Sequence, residues 1–193
     1  MGAVIKHPGA TTLKEKKYCL VLDRDGVINQ ELSPPAAITE VKDWQPIPGA
    51  IEAIGTLQAQ ADITICSNQS ALGRGTLTPT ELRNMHAKLS QLLEDQGAEP
   101  VDMLFCPHHP DDGCACRKPE PGMLEQIATA AGASQECWFV GDSKRDLEAG
   151  IAAGLKVALV QTGHGKLHTA WARQQNIPVF HSLPDLANTL FAA

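Results

Sequence analysis

The chain has 193 residues, enough for one domain with a full core and too few for two comfortable ones. An apolar fraction of 43% and a charged fraction of 20% are ordinary globular composition, and a net charge of −6 disfavours DNA or RNA as a partner. No apolar run approaches the ~20 residues needed to cross a bilayer.

Residues 1–17 are polar with scattered Lys and lack the apolar core of a signal peptide. They are expected to form a flexible arm before a single domain over 18–193, in a cytoplasmic protein. From there strands and helices alternate. Short apolar runs predict strands at 18–22, 63–67, 101–105, 137–140 and 157–160, and weakly at 178–180. One helix is predicted from Pro48, with Ile51, Ile54 and Leu57 on one face. The next opens on Thr78-Pro79-Thr80-Glu81, a capping box with Pro at the first helical position, and closes at Gly97. Others are predicted over 121–131, over 145–153 and after Ser182. This alternation implies a parallel sheet covered on both faces. Two connections, 27–47 and 106–120, are long, and both leave the C-terminal edge of the sheet, where ligands bind in such folds.

The strand ends carry the chemistry. The first ends in Asp23-Arg24-Asp25-Gly26, two carboxylates and a Gly that lets the backbone turn sharply. The second ends in Ser67-Asn68-Gln69-Ser70, the third leads to Arg117-Lys118, and the fourth ends in Gly141-Asp142 with Asp146 one helical turn on. Acids from the first and fourth suit Mg²⁺, a hard ion that takes oxygen ligands. Ser67, the Asn68 N–H and Lys118 suit phosphate oxygens. Together they form a kit for phosphoryl transfer.

Six cysteines in a chain of this size do not indicate a disulfide scaffold. Cys19, Cys66 and Cys137 lie in or beside apolar strands and read as small buried hydrophobes. Cys106, Cys114 and Cys116 crowd one loop with His108 and His109, in the pattern C-x-H-x₅-C-x-C. Three thiolates and one imidazole are the ligand set of a closed tetrahedral Zn²⁺ site, with either His available. Four protein ligands leave no position for a reacting water, so the metal would shape the loop that presents Arg117 and Lys118.

These segments resemble, in order, the four motifs of the haloacid dehalogenase superfamily of aspartate-nucleophile phosphatases: Asp23-x-Asp25, Ser67-Asn68, Lys118 and Gly141-Asp142-x-x-x-Asp146. The resemblance implies a Rossmann-like, doubly wound parallel sheet of order 5-4-1-2-3 without a large cap domain. It implies Asp23 as nucleophile, Asp25 as acid and base, and Ser67 and Lys118 around the phosphoryl group. It also implies Mg²⁺ on Asp23, Asp25 and Asp142 with Asp146 behind them, and His108 as the zinc-binding imidazole.

The zinc loop, Pro121-Gly122-Met123 and Gly73-Arg74-Gly75 resemble the branch that removes the 7-phosphate of a heptose 1,7-bisphosphate on the way to lipopolysaccharide. The histidinol-phosphate branch is the alternative, and a non-catalytic zinc-stabilised binding protein ranks below both. A small phosphorylated sugar, no nucleic acid, no membrane and a monomer are expected. Substrate contacts are expected from Asn68, Gln69, Ser70, Arg117, Glu31 and Arg74, with Lys144 a weaker candidate. Arg117 is the choice for the phosphate that stays, because its fork suits phosphate oxygens. Arg74 reads equally well as a solvated loop charge.

Overall fold

Tyr18–Leu22 (β2) is apolar at every position because it runs through the middle of a sheet with both faces covered. Leu20 and Leu22 join one core and Cys19 and Val21 the other, the alternation that a strand's two-residue period imposes. A computed structural model describes residues 2–6, 16–32 and 37–190. β2 lies between parallel β3 (Ala61–Asn68) and β5 (Glu136–Gly141). β4 (Asp102–Cys106) continues beyond β3, and β6 (Lys156–Val160) and β7 (Val179–Phe180) beyond β5, all parallel. Taking the first five predicted strands in chain order, this is the expected 5-4-1-2-3 arrangement.

One face of the sheet carries α1 (Ala50–Leu57), α3 (Pro79–Asp95) and α7 (Leu183–Thr189), whose apolar stripes share a core with Leu20, Leu22 and Ile65. The other carries α4 (Gly122–Ala131), α5 (Lys144–Ala152) and α6 (Gly165–Gln174), packed on Val21, Phe139 and Leu159. Between β3 and α3 lies one further turn, α2 (Ser70–Gly73). No described helix is long and apolar enough to cross a membrane.

Three features depart from the sequence reading. First, Ala3–Ile5 forms an edge strand, β1, antiparallel to β4 with Ala3 opposite Phe105, so the arm expected over 1–17 begins as part of the sheet. Residues 7–15 of that arm lie outside the described residues. Second, the 27–47 connection, read from sequence only as long, is laced together at its neck. Gln30 N–H donates to the Gln45 carbonyl (2.9 Å), Ile47 N–H donates to the Ile28 carbonyl (2.8 Å), and Val27, Ile28, Ile38 and Trp44 are buried. Third, α6 was not predicted, because it opens on His164 and Gly165, with no side-chain cap and a poor helix former at its first position.

The cap of α3 also differs in detail. Thr78 Oγ1 accepts from Glu81 N–H (3.1 Å) as expected. The Glu81 carboxylate, however, accepts from Val41 N–H (3.1 Å) in the 27–47 segment instead of turning back on the cap. Lys88 Nζ donates to the Trp44 carbonyl (2.6 Å) in the same segment, so α3 fastens it at two points.

Candidate active site

Asp23 stands at the tip of β2, its N–H donating to the Val140 carbonyl of β5 (2.9 Å). Its Oδ1 accepts from Lys118 Nζ (2.8 Å) and from Arg24 N–H (2.7 Å). The same Nζ reaches Asp146 Oδ1 (2.8 Å) and the Cys66 carbonyl (3.0 Å), so one buried ammonium joins the tip of β2, the C-terminal part of β3 and the first turn of α5. Asp146 Oδ1 has that ammonium as its ion-pair partner, and Oδ2 accepts from the N–H and hydroxyl of Ser143 in the capping box of α5. Asp142 Oδ2 accepts from His164 N–H (2.8 Å). Asp23 Oδ2 and Asp142 Oδ1 therefore remain open among the described residues.

The carboxylates of Asp23, Asp142 and Asp146 each offer an oxygen within 4.8 Å of the others, and all three side chains are buried. Lys118 offsets one charge of the three. Burial pushes Asp23 up to about 7, against the pull of Lys118. Burial, followed by the charges of Asp23 and Asp146, pushes Asp142 up to about 8. Two open carboxylate oxygens in an under-neutralised buried cluster fit a divalent cation with hard oxygen ligands.

Asp25 has a different environment. Burial opposes its ionisation, but the Arg24 charge and hydrogen bonds from Asn29, Arg24 and Gln69 outweigh that and hold it below the usual carboxylate range. Arg24 Nη2 lies 2.9 Å from Oδ1, Asn29 Nδ2 2.9 Å from Oδ1 and Gln69 Nε2 3.2 Å from Oδ2. Gln69 Nε2 also donates to Ser67 Oγ (2.8 Å), bringing the β3 tip into the same network. Lys118 is charged: burial would lower its pKa, but Asp146 and Asp23 raise it above the ordinary lysine value.

The loop after β4 carries the second cluster. Cys106 Sγ lies 3.4 Å from His108 Nδ1 and 3.6 Å from Cys114 Sγ; Cys116 Sγ lies 3.2 Å from His108 Nδ1 and 3.6 Å from Cys114 Sγ. These separations exclude disulfides, whose S–S distance is about 2.05 Å. They are close to the edges of a zinc tetrahedron, about 3.5–3.8 Å for Zn–S of ~2.3 Å and Zn–N of ~2.0 Å. His109 is employed elsewhere: its Nδ1 accepts from Asp111 N–H (3.3 Å) and caps the turn at Pro110–Asp112. Asn68 then holds the loop to β3, its amide donating to the Lys118 carbonyl (3.0 Å) and accepting from Lys118 N–H (3.1 Å).

Beside Asp25 opens a cleft of about 190 Å³ that runs past Glu31, Asn68, Gln69 and Ser70 to Arg117 and Arg145. Of the substrate contacts expected from sequence, Arg74 is not among the residues lining the cleft; it caps α2 at the C-terminal end and is exposed. Lys144 points away, its ammonium 3.4 Å from Glu148 and over the Trp171 ring. The sequence reading missed Arg145, which directly precedes the motif acid Asp146 on the first turn of α5. The Gly163-His164-Gly165 loop, which the sequence places after the fifth strand near the same edge without assigning it a role, also belongs to the site. His164 Nε2 lies 3.2 Å from Glu31 Oε1, while Gly26 and Gly163 press on the Asp142 carboxylate so closely that a Cβ on either would collide with it.

A strand order with β2 central and acids at the tips of β2 and β5 defines a haloacid dehalogenase-like hydrolase, and the family model described as HAD-hydrolase-like matches residues 115–187. The D-glycero-β-D-manno-heptose-1,7-bisphosphate 7-phosphatase of Pseudomonas putida is 43% identical over 173 residues, covering 89% of this chain and 98% of the relative. The protein of the same name from Neisseria meningitidis serogroup A is 45% identical over 149 residues, 76% of this chain and 79% of the relative. A crystal structure of the D,D-heptose 1,7-bisphosphate phosphatase of B. bronchiseptica, complexed with magnesium and phosphate, superposes with a TM-score of 0.82 at 37% identity, covering 90% of this chain and 98% of that one. The chain belongs to this family of phosphatases.

Proposed function

We propose that this chain hydrolyses the 7-phosphate of D-glycero-β-D-manno-heptose 1,7-bisphosphate through a phosphorylated Asp23, within synthesis of the heptose of lipopolysaccharide. The observation that carries the reading is the buried junction at which Lys118 Nζ lies 2.8 Å from both Asp23 and Asp146, with Asp142 in the same cluster. The 43% identity to the Pseudomonas putida enzyme over 89% of the chain supports the substrate.

Asp23 Oδ2 attacks phosphorus and the bond to the sugar oxygen breaks, dividing one hard step into two. Asp25, where the cleft begins, gives the leaving oxygen its proton. Arg24, Asn29 and Gln69 favour its ionised form in the free site. The negative charge of an arriving phosphate opposes that ionisation, so Asp25 takes up a proton from solvent as the substrate binds. In the second step Asp25 takes the proton back from water, the water attacks phosphorus, and the bond to Asp23 breaks to release inorganic phosphate. Lys118 and Ser67 hold phosphoryl oxygens. Asn68, Gln69, Ser70, Glu31 and Arg117 line the path of the sugar, and the solvated reading of Arg74 is preferred.

Asp23, the Asp25 carbonyl and Asp142 would hold Mg²⁺, with Asp146 orienting Lys118 from behind, and the bound ion supplies positive charge against the phosphoryl oxygens. Cys106, His108, Cys114 and Cys116 would hold Zn²⁺ as a structural ion. The enzyme acts as a cytoplasmic monomer in this reading. Side-by-side turnover of the heptose bisphosphate and histidinol phosphate with Mg²⁺ tests it. A higher kcat/KM for the heptose bisphosphate is expected, and a preference for histidinol phosphate refutes the substrate.

A further inference from the structure

The charged groups of the cleft beside Asp25 pair off with two exceptions. Arg24 is bound to Asp25 at 2.9 Å, and Glu31 to His164 at 3.2 Å. Arg117 and Arg145 make no side-chain hydrogen bond or ion pair among the described residues, and Arg117 Nη1 is buried without a partner. A guanidinium nitrogen shut from water with nothing to donate to is unfavourable until an acceptor arrives.

The two come from different elements. Arg117 is held by the loop after β4, which Asn68 fastens, and Arg145 by the first turn of α5. The cleft touches Asp25 but not Asp23, so it extends from the proton donor outward, along the leaving group rather than around the transferred phosphoryl.

We infer that Arg145 is a specificity-determining residue that binds, together with Arg117, the phosphate left on the sugar. This rests on the sugar-bisphosphate reading above. Two planar forks on one phosphate select a substrate with a second phosphate over the same sugar carrying only the 7-phosphate. The contact is made equally in the ground and transition states, so its loss falls on KM more than on kcat.

The test compares Arg145→Gln with the parent enzyme, both as the full chain, on heptose 1,7-bisphosphate and on heptose 7-phosphate. The ratio of kcat/KM for bisphosphate to monophosphate is expected to fall about tenfold or more, through a raised KM for the bisphosphate, as for one lost charge-assisted contact. Arg145→Glu, which reverses the charge at an exposed position, is expected to lower the ratio further. An unchanged ratio in both variants, or a loss confined to kcat, overturns the inference. A parent enzyme that does not hydrolyse the bisphosphate overturns the underlying reading instead.

Discussion

At the scale of single residues, the site is a problem of crowded negative charge. Asp23 and Asp142 have pKa values raised to about 7 and about 8 without a metal ion. Folded protein then binds more protons than unfolded chain between roughly pH 4 and pH 8, so stability falls as pH rises through that window. Metal-free protein is expected to show a lower Tm at pH 8 than at pH 5. Mg²⁺ competes with those protons, so its stabilising effect should be larger at pH 8; calorimetry at both pH values with and without Mg²⁺ checks this, and an equal Mg²⁺ effect contradicts it. The close approach of Gly26 and Gly163 to Asp142 makes a second expectation. Both have positive φ (81° and 53°), and a Cβ on either meets the Asp142 carboxylate. Gly163→Ala should weaken Mg²⁺ activation by at least tenfold while leaving the helical circular dichroism unchanged.

At the scale of elements, the loop after β4 joins the thiol–imidazole cluster to Lys118. Residues 106–118 have little secondary structure beyond the turn at Pro110–Asp112, so cross-linking by a metal would replace the ordering that a core supplies elsewhere. Metal analysis of protein purified without chelators should find about one zinc per chain. Cys114→Ser should lose it, lower the Tm, and reduce turnover through displacement of Arg117 and Lys118 rather than through any direct contact. Normal turnover in a zinc-free Cys114→Ser protein contradicts this role.

The cluster was legible from spacing, because Cys and His ligands four to one loop leave a pattern in the sequence itself. The strand-tip acids were legible for a similar reason: an apolar run ending in Asp-x-Asp is a local signal. Arg145, His164 and α6 were not. Arg145 reaches the cleft only through the placement of α5 against β5. His164 meets Asp142 through its backbone N–H, which no residue type announces, and Glu31 through a ring contact that only the fold creates.

At the scale of the whole molecule, the sheet places four strand tips at one edge in the order β4-β3-β2-β5-β6, which the family resemblance implied; the alternation of buried parallel strands and helices fixes the layers but not that order. β1 had no such signature: three residues, Ala3–Ile5, within a polar arm, defined only by their pairing with β4. Deleting residues 1–5 exposes the edge of β4. The truncated chain is expected to lose a few degrees of Tm and to aggregate more readily in light scattering, while kcat changes less than twofold. A large loss of kcat would mean that the edge strand supports the site.

Covalent attachment of phosphorus to Asp23 is the step on which the proposed catalysis turns. Rapid acid quenching of enzyme mixed with phosphorus-labelled substrate and Mg²⁺, followed by peptide mapping, tests it directly. Label on the peptide carrying Asp23, absent from an Asp23→Asn protein whose turnover is at least about 10⁴-fold lower, is the expected result. A folded Asp23→Asn protein with undiminished turnover, or label on another residue, would contradict it.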